Sequence, residues 1–196
     1  MAPASRGADQ VPPTWTSALR VPPTRLTAGV MASSRPRETL SVRAAPAWRG
    51  AEGITRFARA LGAARGGHAA HARAEIDSLA ELERTLAVAG GAQAYWSTQV
   101  RIQRLAASAW VALAVGDTAD ALRQGMAAAD LDDAVEKHPV TPGAVLPARE
   151  LYGDLLAQAG RLVEARVAYG LTLSRQPGRA RCLAAMARVG QTVGQR

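Results

Sequence analysis

The sequence predicts an all-α protein built as an array of helical hairpins, with about seven helices and no sheet. No proline occurs between Trp48 and Lys137, so nothing in that stretch interrupts long helices. Alanine is the main contributor to a hydrophobic fraction of 48%, and alanine favours closely packed helices over strands. The pattern Gly-x4-Ala begins at Gly67, Gly116 and Gly160, and each copy separates two apolar helical runs. Because one hairpin cannot bury its own apolar face, this repetition indicates a stack of three.

Four helices are predicted before residue 138, where apolar residues recur three and four positions apart. They cover Gly53–Arg65, His68–Val88, Ala92–Val115 and Thr118–Lys137. The third helix carries two apolar stripes, so we expect it to be buried between neighbours. Trp96 and Trp110 share a face of this helix. They either fill the core between hairpins or form an exposed aromatic anchor for a partner peptide.

The two ends of the chain differ in composition. His138–Gly143 is predicted as a loop, and Arg179–Val193 is predicted as a final amphipathic helix that caps the stack. Residues 1–46 hold seven of the eleven prolines and show no sustained hydrophobic periodicity. We therefore predict a disordered Pro/Arg-rich segment over 1–46 and a helical repeat domain over 47–196.

The stretch LPARELYGDLLAQAGRLVEARVAYGLTLSRQP, Leu146–Pro177, is the most informative part of the sequence. It predicts two short amphipathic helices around a turn. Gly153 and Ala165 are small, so the two helices can cross closely there. Gly160 can end the first helix with a positive φ, and Pro177 cannot continue the second helix.

This hairpin resembles a tetratricopeptide repeat (TPR), whose ladder is W-x2-L-G-x2-Y…A-x3-F…P. The seven marked positions hold Arg149, Tyr152, Gly153, Leu156, Ala165, Tyr169 and Pro177. The Gly, Ala and Pro positions match, whereas Arg149 and Tyr152 depart from the expected Trp and Leu. From about Ala47 to Val193 the chain is similar to the C-terminal part of longer bacterial TPR proteins.

The net charge of +8 would ordinarily favour a nucleic-acid partner, but its distribution weakens that interpretation. Residues 1–51 carry +5, residues 52–154 carry −3 and residues 155–196 carry +6. Lys137 is the only lysine among 24 basic residues, which indicates a codon bias towards arginine. An Arg-rich nucleic-acid binder that uses its two ends is kept as the alternative function.

Few residues are arranged for chemistry. His68 and His71 could share a metal, but only Glu75 is near enough in sequence to be a third ligand. The acidic run Asp130–Glu136 is interpreted as a solvated helix face. Cys182 is the only cysteine, and we expect a buried thiol. Because no phosphate-binding or nucleophile motif is present, we predict no enzyme activity, no catalytic or metal site and no cofactor.

The resemblance implies a non-catalytic scaffold that binds a protein or peptide partner on the concave face of its stacked hairpins. In that family the first helix of each hairpin lines this face. The ladder then places the following residues there: Gln103, Trp110, Glu150, Asp154 and Gln158. No segment resembles a secretory signal or a membrane span. The chain is accordingly predicted to be cytoplasmic, with no membrane partner.

Overall fold

A computed structural model describes residues 49–136, 144 and 146–194. These residues form seven α-helices and no strand, which confirms the all-α class and the helix number. The helices are α1 (Arg49–Arg65), α2 (Ala69–Ala89), α3 (Ala92–Ala114), α4 (Thr118–Ala134), α5 (Ala148–Gln158), α6 (Leu162–Arg175) and α7 (Ala180–Gly194). The segment 1–46 that was predicted to be disordered, and the predicted loop at 138–143, lie outside the described residues.

Two helix bounds differ from the prediction by three residues or more. Helix α1 begins at Arg49, one turn before Gly53. Its first turn packs closely on α3. The ring of Trp96 lies so near to Gly50 that a β-carbon there would be only 2.5 Å from it. A glycine gives no hydrophobic signal, so the pattern did not show this contact. Helix α4 ends at Ala134, before Lys137, because Val135 takes an extended backbone with φ −80° and ψ 123°.

The three Gly-x4-Ala turns have the same backbone geometry. Gly67, Gly116 and Gly160 have φ of 78°, 87° and 76°, in the left-handed region that favours glycine. At each turn the glycine N–H donates to the carbonyl three residues earlier, and the following N–H donates to a carbonyl five residues earlier. This bond pair is the Schellman motif, which satisfies the last carbonyls of a helix.

The alanine of each pattern is buried to the same degree. Ala72, Ala121 and Ala165 all have 0% exposure. Each alanine N–H also donates to the carbonyl of the residue that precedes its helix. The glycine therefore ends one helix, and the alanine lies fully buried in the first turn of the next. The three turns are equivalent structural positions, although they are 49 and 44 residues apart in the sequence.

The odd-numbered helices pack against one another more closely than the even-numbered helices do. Every helix contacts its chain neighbour, and contacts also join α1 to α3, α3 to α5 and α5 to α7. We call α1, α3, α5 and α7 the odd-helix row. The backbones of α2, α4 and α6 do not approach one another in the described part of the chain, and an ion pair between Arg175 and Asp133 joins α6 to α4 through side chains. The odd-helix row is therefore the continuous layer of the molecule.

Two apolar cores lie along the stack. The larger core, between Phe57 and Leu155, draws on helices α1 to α5. The smaller core contains Leu156, Ala165, Ala168, Tyr169, Cys182, Ala185 and Val189 from α5, α6 and α7. Leu122 of α4 packs against both cores, and α5 contributes residues to both, so α4 and α5 connect them.

Candidate functional site

The predicted partner-binding residues all lie on α3 and α5, in the middle of the odd-helix row, but their exposure differs. Gln158 is exposed, and Gln103 and Asp154 are partly buried. Trp110 is 3% exposed and Glu150 is 0% exposed. Of the five side chains, Gln158 is therefore the most open to a partner.

Glu150 is bound by two arginines from the end of the chain. Arg179 donates to one carboxylate oxygen of Glu150, and Arg181 donates to the other. Both arginines keep part of their side chains in solvent, whereas the Glu150 carboxylate has none. A carboxylate out of water needs such charged donors, because an unpaired buried charge is very costly. Glu150 therefore attaches the last helix to α5.

Asp154 lies one turn beyond Glu150 and is also fully engaged. Arg181 donates to one of its oxygens, and the Tyr169 hydroxyl donates to the other at 2.8 Å. Burial, together with the charge of Asp154, raises the pKa of the Tyr169 hydroxyl. This phenol therefore stays protonated and keeps its role as a donor. We call Glu150, Asp154, Tyr169, Arg179 and Arg181 the C-terminal polar cluster.

Cys182 lies beside this cluster and is fully buried, as the sequence predicts. Burial, and then the charge and hydrogen bond of Glu150, raise the pKa of its thiol to about 12. The thiolate is the reactive form of cysteine. Cys182 is consequently a protonated, enclosed thiol at neutral pH, and the described structure gives it no nucleophilic role.

Arg65, at the end of α1, links the C-terminal polar cluster to the first helix of the odd-helix row. Its guanidinium carbon lies 4.4 Å from the centroid of the Trp110 ring. Partial burial lowers the pKa of Arg65, the charge of Asp154 opposes this shift, and the charge of Arg181 adds to it. Residues of α1, α3, α5 and α7 thus share one electrostatic environment.

One face of α3 carries polar atoms that have no hydrogen-bond partner among the described residues. These buried atoms are Nε2 of Gln99, Oε1 of Gln103 and Nε1 of Trp110. Their spacing of four and seven residues places them on the same side of the helix. Gln103 packs against α1, since a β-carbon at Gly53 would lie 3.1 Å from its amide oxygen.

The acidic run on α4 is mainly structural, so the prediction of a solvated face is wrong for its central residues. Asp132 is buried and accepts the backbone N–H of Ala148 at 3.0 Å, which caps the start of α5. Arg149 donates to Asp130 and Asp133, both at 2.6 Å. This ion pair accounts for an arginine where the TPR ladder has a tryptophan.

The two histidines of the first turn lie close together. The rings of His68 and His71 are 6.1 Å apart and meet edge to face. No group of three His, Cys, Asp or Glu residues in the described ranges could hold a metal ion. None of the helices from α1 to α7 combines the length and apolar character that a bilayer span requires.

Sequence reasoning did not find the arginines that dominate this region. Arg65, Arg179 and Arg181 follow no motif, and their partners lie far away in the sequence. The signal that could have found two of them was the charge excess of residues 155–196, which contain seven arginines and one acidic residue. Arginines of such a segment that become partly buried need carboxylates from elsewhere in the chain, and Glu150 and Asp154 supply them for Arg179 and Arg181. Comparisons with protein-family models, curated proteins and solved structures found no match for this chain.

Proposed function

We propose that this protein is a non-catalytic interaction scaffold that binds a segment of a protein partner along its odd-helix row. The observation that carries the proposal is the continuity of this row, in which polar groups of α1, α3, α5 and α7 lie together. A continuous layer of successive helices offers one extended surface, which is how repeat proteins bind their partners.

A TPR-like arrangement is part of this proposal. It is supported by three equivalent turns, three fully buried alanines, and the close approach of Gly153 to Tyr169 at the ladder positions. In such an arrangement the odd-helix row lines the concave face, and Gln158 is its exposed contact. The cytoplasmic location stays a prediction from the sequence.

The alternative, a nucleic-acid binder, is less well supported because the C-terminal arginines are used internally. Arg161, Arg175, Arg179 and Arg181 each form an ion pair with a carboxylate. An arginine that is already paired is less available to neutralise phosphates. Arg175, Arg179 and Arg181 bind carboxylates of α4 and α5, so part of the charge excess of residues 155–196 is paired within the molecule.

A pull-down with matched variants tests the scaffold proposal. The immobilised full chain is incubated with lysate of its source cell, with and without nuclease treatment, and retained proteins are identified by mass spectrometry. We expect a retained protein to be lost with Gln158→Tyr, which enlarges an exposed position of the odd-helix row. It should be kept with Ala127→Tyr, an equally exposed position on α4.

Two results would contradict the proposal. Equal retention by both variants would place the contact outside the odd-helix row. Retention that requires intact nucleic acid, with an affinity that falls steeply as salt rises, would favour the alternative.

A further inference from the structure

Arg65 forms no ion pair among the described residues. Its side chain is partly exposed at the end of α1, and Asp154 acts on it through charge alone, without a hydrogen bond. The other arginines close to it, by contrast, are engaged: Arg181 binds both Glu150 and Asp154. The N–H donors of Arg65 therefore remain available to an incoming group.

The position of Arg65 is fixed by the ring of Trp110. Its guanidinium stacks on Trp110, whose ring is 3% exposed and is held inside the larger core. A cation over an indole face is attracted by the ring and loses conformational freedom. Directly after Arg65, Gly66 and Gly67 form the turn that ends α1, with backbone hydrogen bonds back to that helix. Arg65 is thus held in place before any partner arrives, which lowers the cost of binding.

The charges that act on Arg65 leave its own charge uncompensated. They come from Asp154 and Arg181, which have opposite signs. The Asp154 carboxylate already accepts hydrogen bonds from Arg181 and Tyr169. Arg65 therefore supplies a positive charge that is free to meet an anion.

We propose that Arg65, stacked on Trp110, is the anchor for a carboxylate of the partner, and that the odd-helix row binds an acidic peptide segment. The proposal rests on the scaffold function above and adds the chemistry of the partner. A planar guanidinium can hold a carboxylate through two parallel hydrogen bonds. A nucleic acid fits this place less well, because the Trp110 ring is covered by Arg65 and cannot stack on a base.

The proposal is tested with defined probes and the full chain. The probes are a fluorescein-labelled twelve-residue peptide of alternating Glu and Ala, its Gln–Ala counterpart, and labelled twelve-nucleotide oligo(dT). Fluorescence anisotropy at fixed salt gives the affinity of each. We expect the Glu–Ala peptide to bind, the Gln–Ala peptide to bind at least about tenfold more weakly, and oligo(dT) to bind more weakly than the acidic peptide.

Two arginine variants provide the control. Arg65→Gln should weaken the binding of the Glu–Ala peptide about tenfold. Arg166→Gln should leave the affinity for this peptide unchanged. Arg166 is an exposed arginine of α6 that also has no ion pair among the described residues. Arg65→Lys keeps the charge without the planar fork, so its affinity should fall between those of wild type and Arg65→Gln. Thermal melts followed by circular dichroism confirm that the variants are folded.

Several outcomes would contradict the proposal that Arg65 anchors a carboxylate. They are equal binding of the Glu–Ala and Gln–Ala peptides, an equal loss with Arg65→Gln and Arg166→Gln, or tighter binding of oligo(dT). The scaffold function is judged separately, because the pull-down depends on Gln158→Tyr. A cellular partner that is lost with Gln158→Tyr but kept with Arg65→Gln would preserve the scaffold and reject the anchor.

Discussion

The two ends of this helical stack are held together by different forces. The first four helices share a large apolar core that includes Leu79, Leu86 and Val100. Ion pairs lie at the margin of this core, where the side chains of Glu75 and Glu83 are 13% and 20% exposed. At the other end the apolar core is small, and the fully buried Glu150 binds two arginines within it.

The difference follows from how much apolar surface each helix can bury. Helix α7 is the last described helix, and only α5 and α6 contact it. Its buried apolar residues are Cys182, Ala185 and Val189, which are small. Burial of little apolar area gives little stabilisation. Charged hydrogen bonds to Glu150 and Asp154 add stabilisation that the small core does not supply. They also fix the orientation of α7.

The largest expected effect comes from breaking the C-terminal polar cluster. Glu150→Gln leaves Arg179 and Arg181 without their common carboxylate, and removal of one partner of a buried ion pair typically costs about 3–5 kcal/mol. We expect a loss near the lower end, because these arginines keep 22% and 28% exposure. Urea denaturation measures the change in the free energy of unfolding.

Glu164→Gln is the matched control for this change. Its ion pair with Arg161 lies at the surface, with both side chains about half exposed. Such pairs contribute about 0–1 kcal/mol. Equal losses for the two variants would show that the buried cluster does not hold α7 in place.

Overpacking of the close approach between α5 and α6 should have the next largest effect. A β-carbon at Gly153 would lie 2.6 Å from a ring carbon of Tyr169. Gly153→Leu forces the ring away and should lower the free energy of unfolding by about 1–3 kcal/mol. Gln158→Leu, at an exposed position of the same helix, should change it by about 0.5 kcal/mol or less. Equal melting temperatures would mean that the ladder register on α5 is wrong.

A cap on α4 tests whether the two cores unfold together. The Asp117 carboxylate accepts the backbone N–H of Asp120 at 2.9 Å. Asp117→Ala should cost about 1 kcal/mol, while Asp77→Ala, at an exposed position of α2, should be nearly neutral. Because Leu122 packs on both cores, hydrogen exchange of α2 and α7 should rise together. An increase confined to α7 would show that the cores open separately.

The smallest effect concerns Cys182 and is absent at neutral pH. Its folded pKa, about 12, is raised above the ordinary value of 9.0. The stability that this thiol contributes is therefore fully present below pH 9.0 and is lost as the pH rises towards 12. Cys182→Ala should remove this part of the pH dependence in urea titrations. An unchanged slope between these pH values would contradict the buried position of the thiol.

The sequence predicted the features that depend on local pattern. Gly67, Gly116 and Gly160 end helices with positive φ, and the alanines of the same pattern are buried, because turn chemistry and small size are visible in a single stretch. The roles of Glu150 and Arg149 were not visible, since each depends on partners in another helix. Arg179 and Arg181 lie 29 and 31 residues beyond Glu150, and hydrophobic periodicity carries no information about such pairs.

The candidate site was predicted with the same limitation. The ladder placed Gln103, Trp110, Glu150, Asp154 and Gln158 on one row of helices, and the structure places α3 and α5 in contact within that row. The ladder could not tell which of these side chains are buried. Exposure depends on the neighbouring helices, and Arg65, which covers Trp110, belongs to a different hairpin.

The uneven connection among α2, α4 and α6 has a mechanical consequence. Neighbouring hairpins are joined mainly through the odd-helix row and through the helix that connects each hairpin to the next, and an ion pair between Arg175 and Asp133 also links α6 to α4. Among the described residues no ion pair joins α2 to α4, so this joint should bend more easily than the joint between α4 and α6. A ligand that lies along the odd-helix row would then change the curvature of the array chiefly between its first two hairpins.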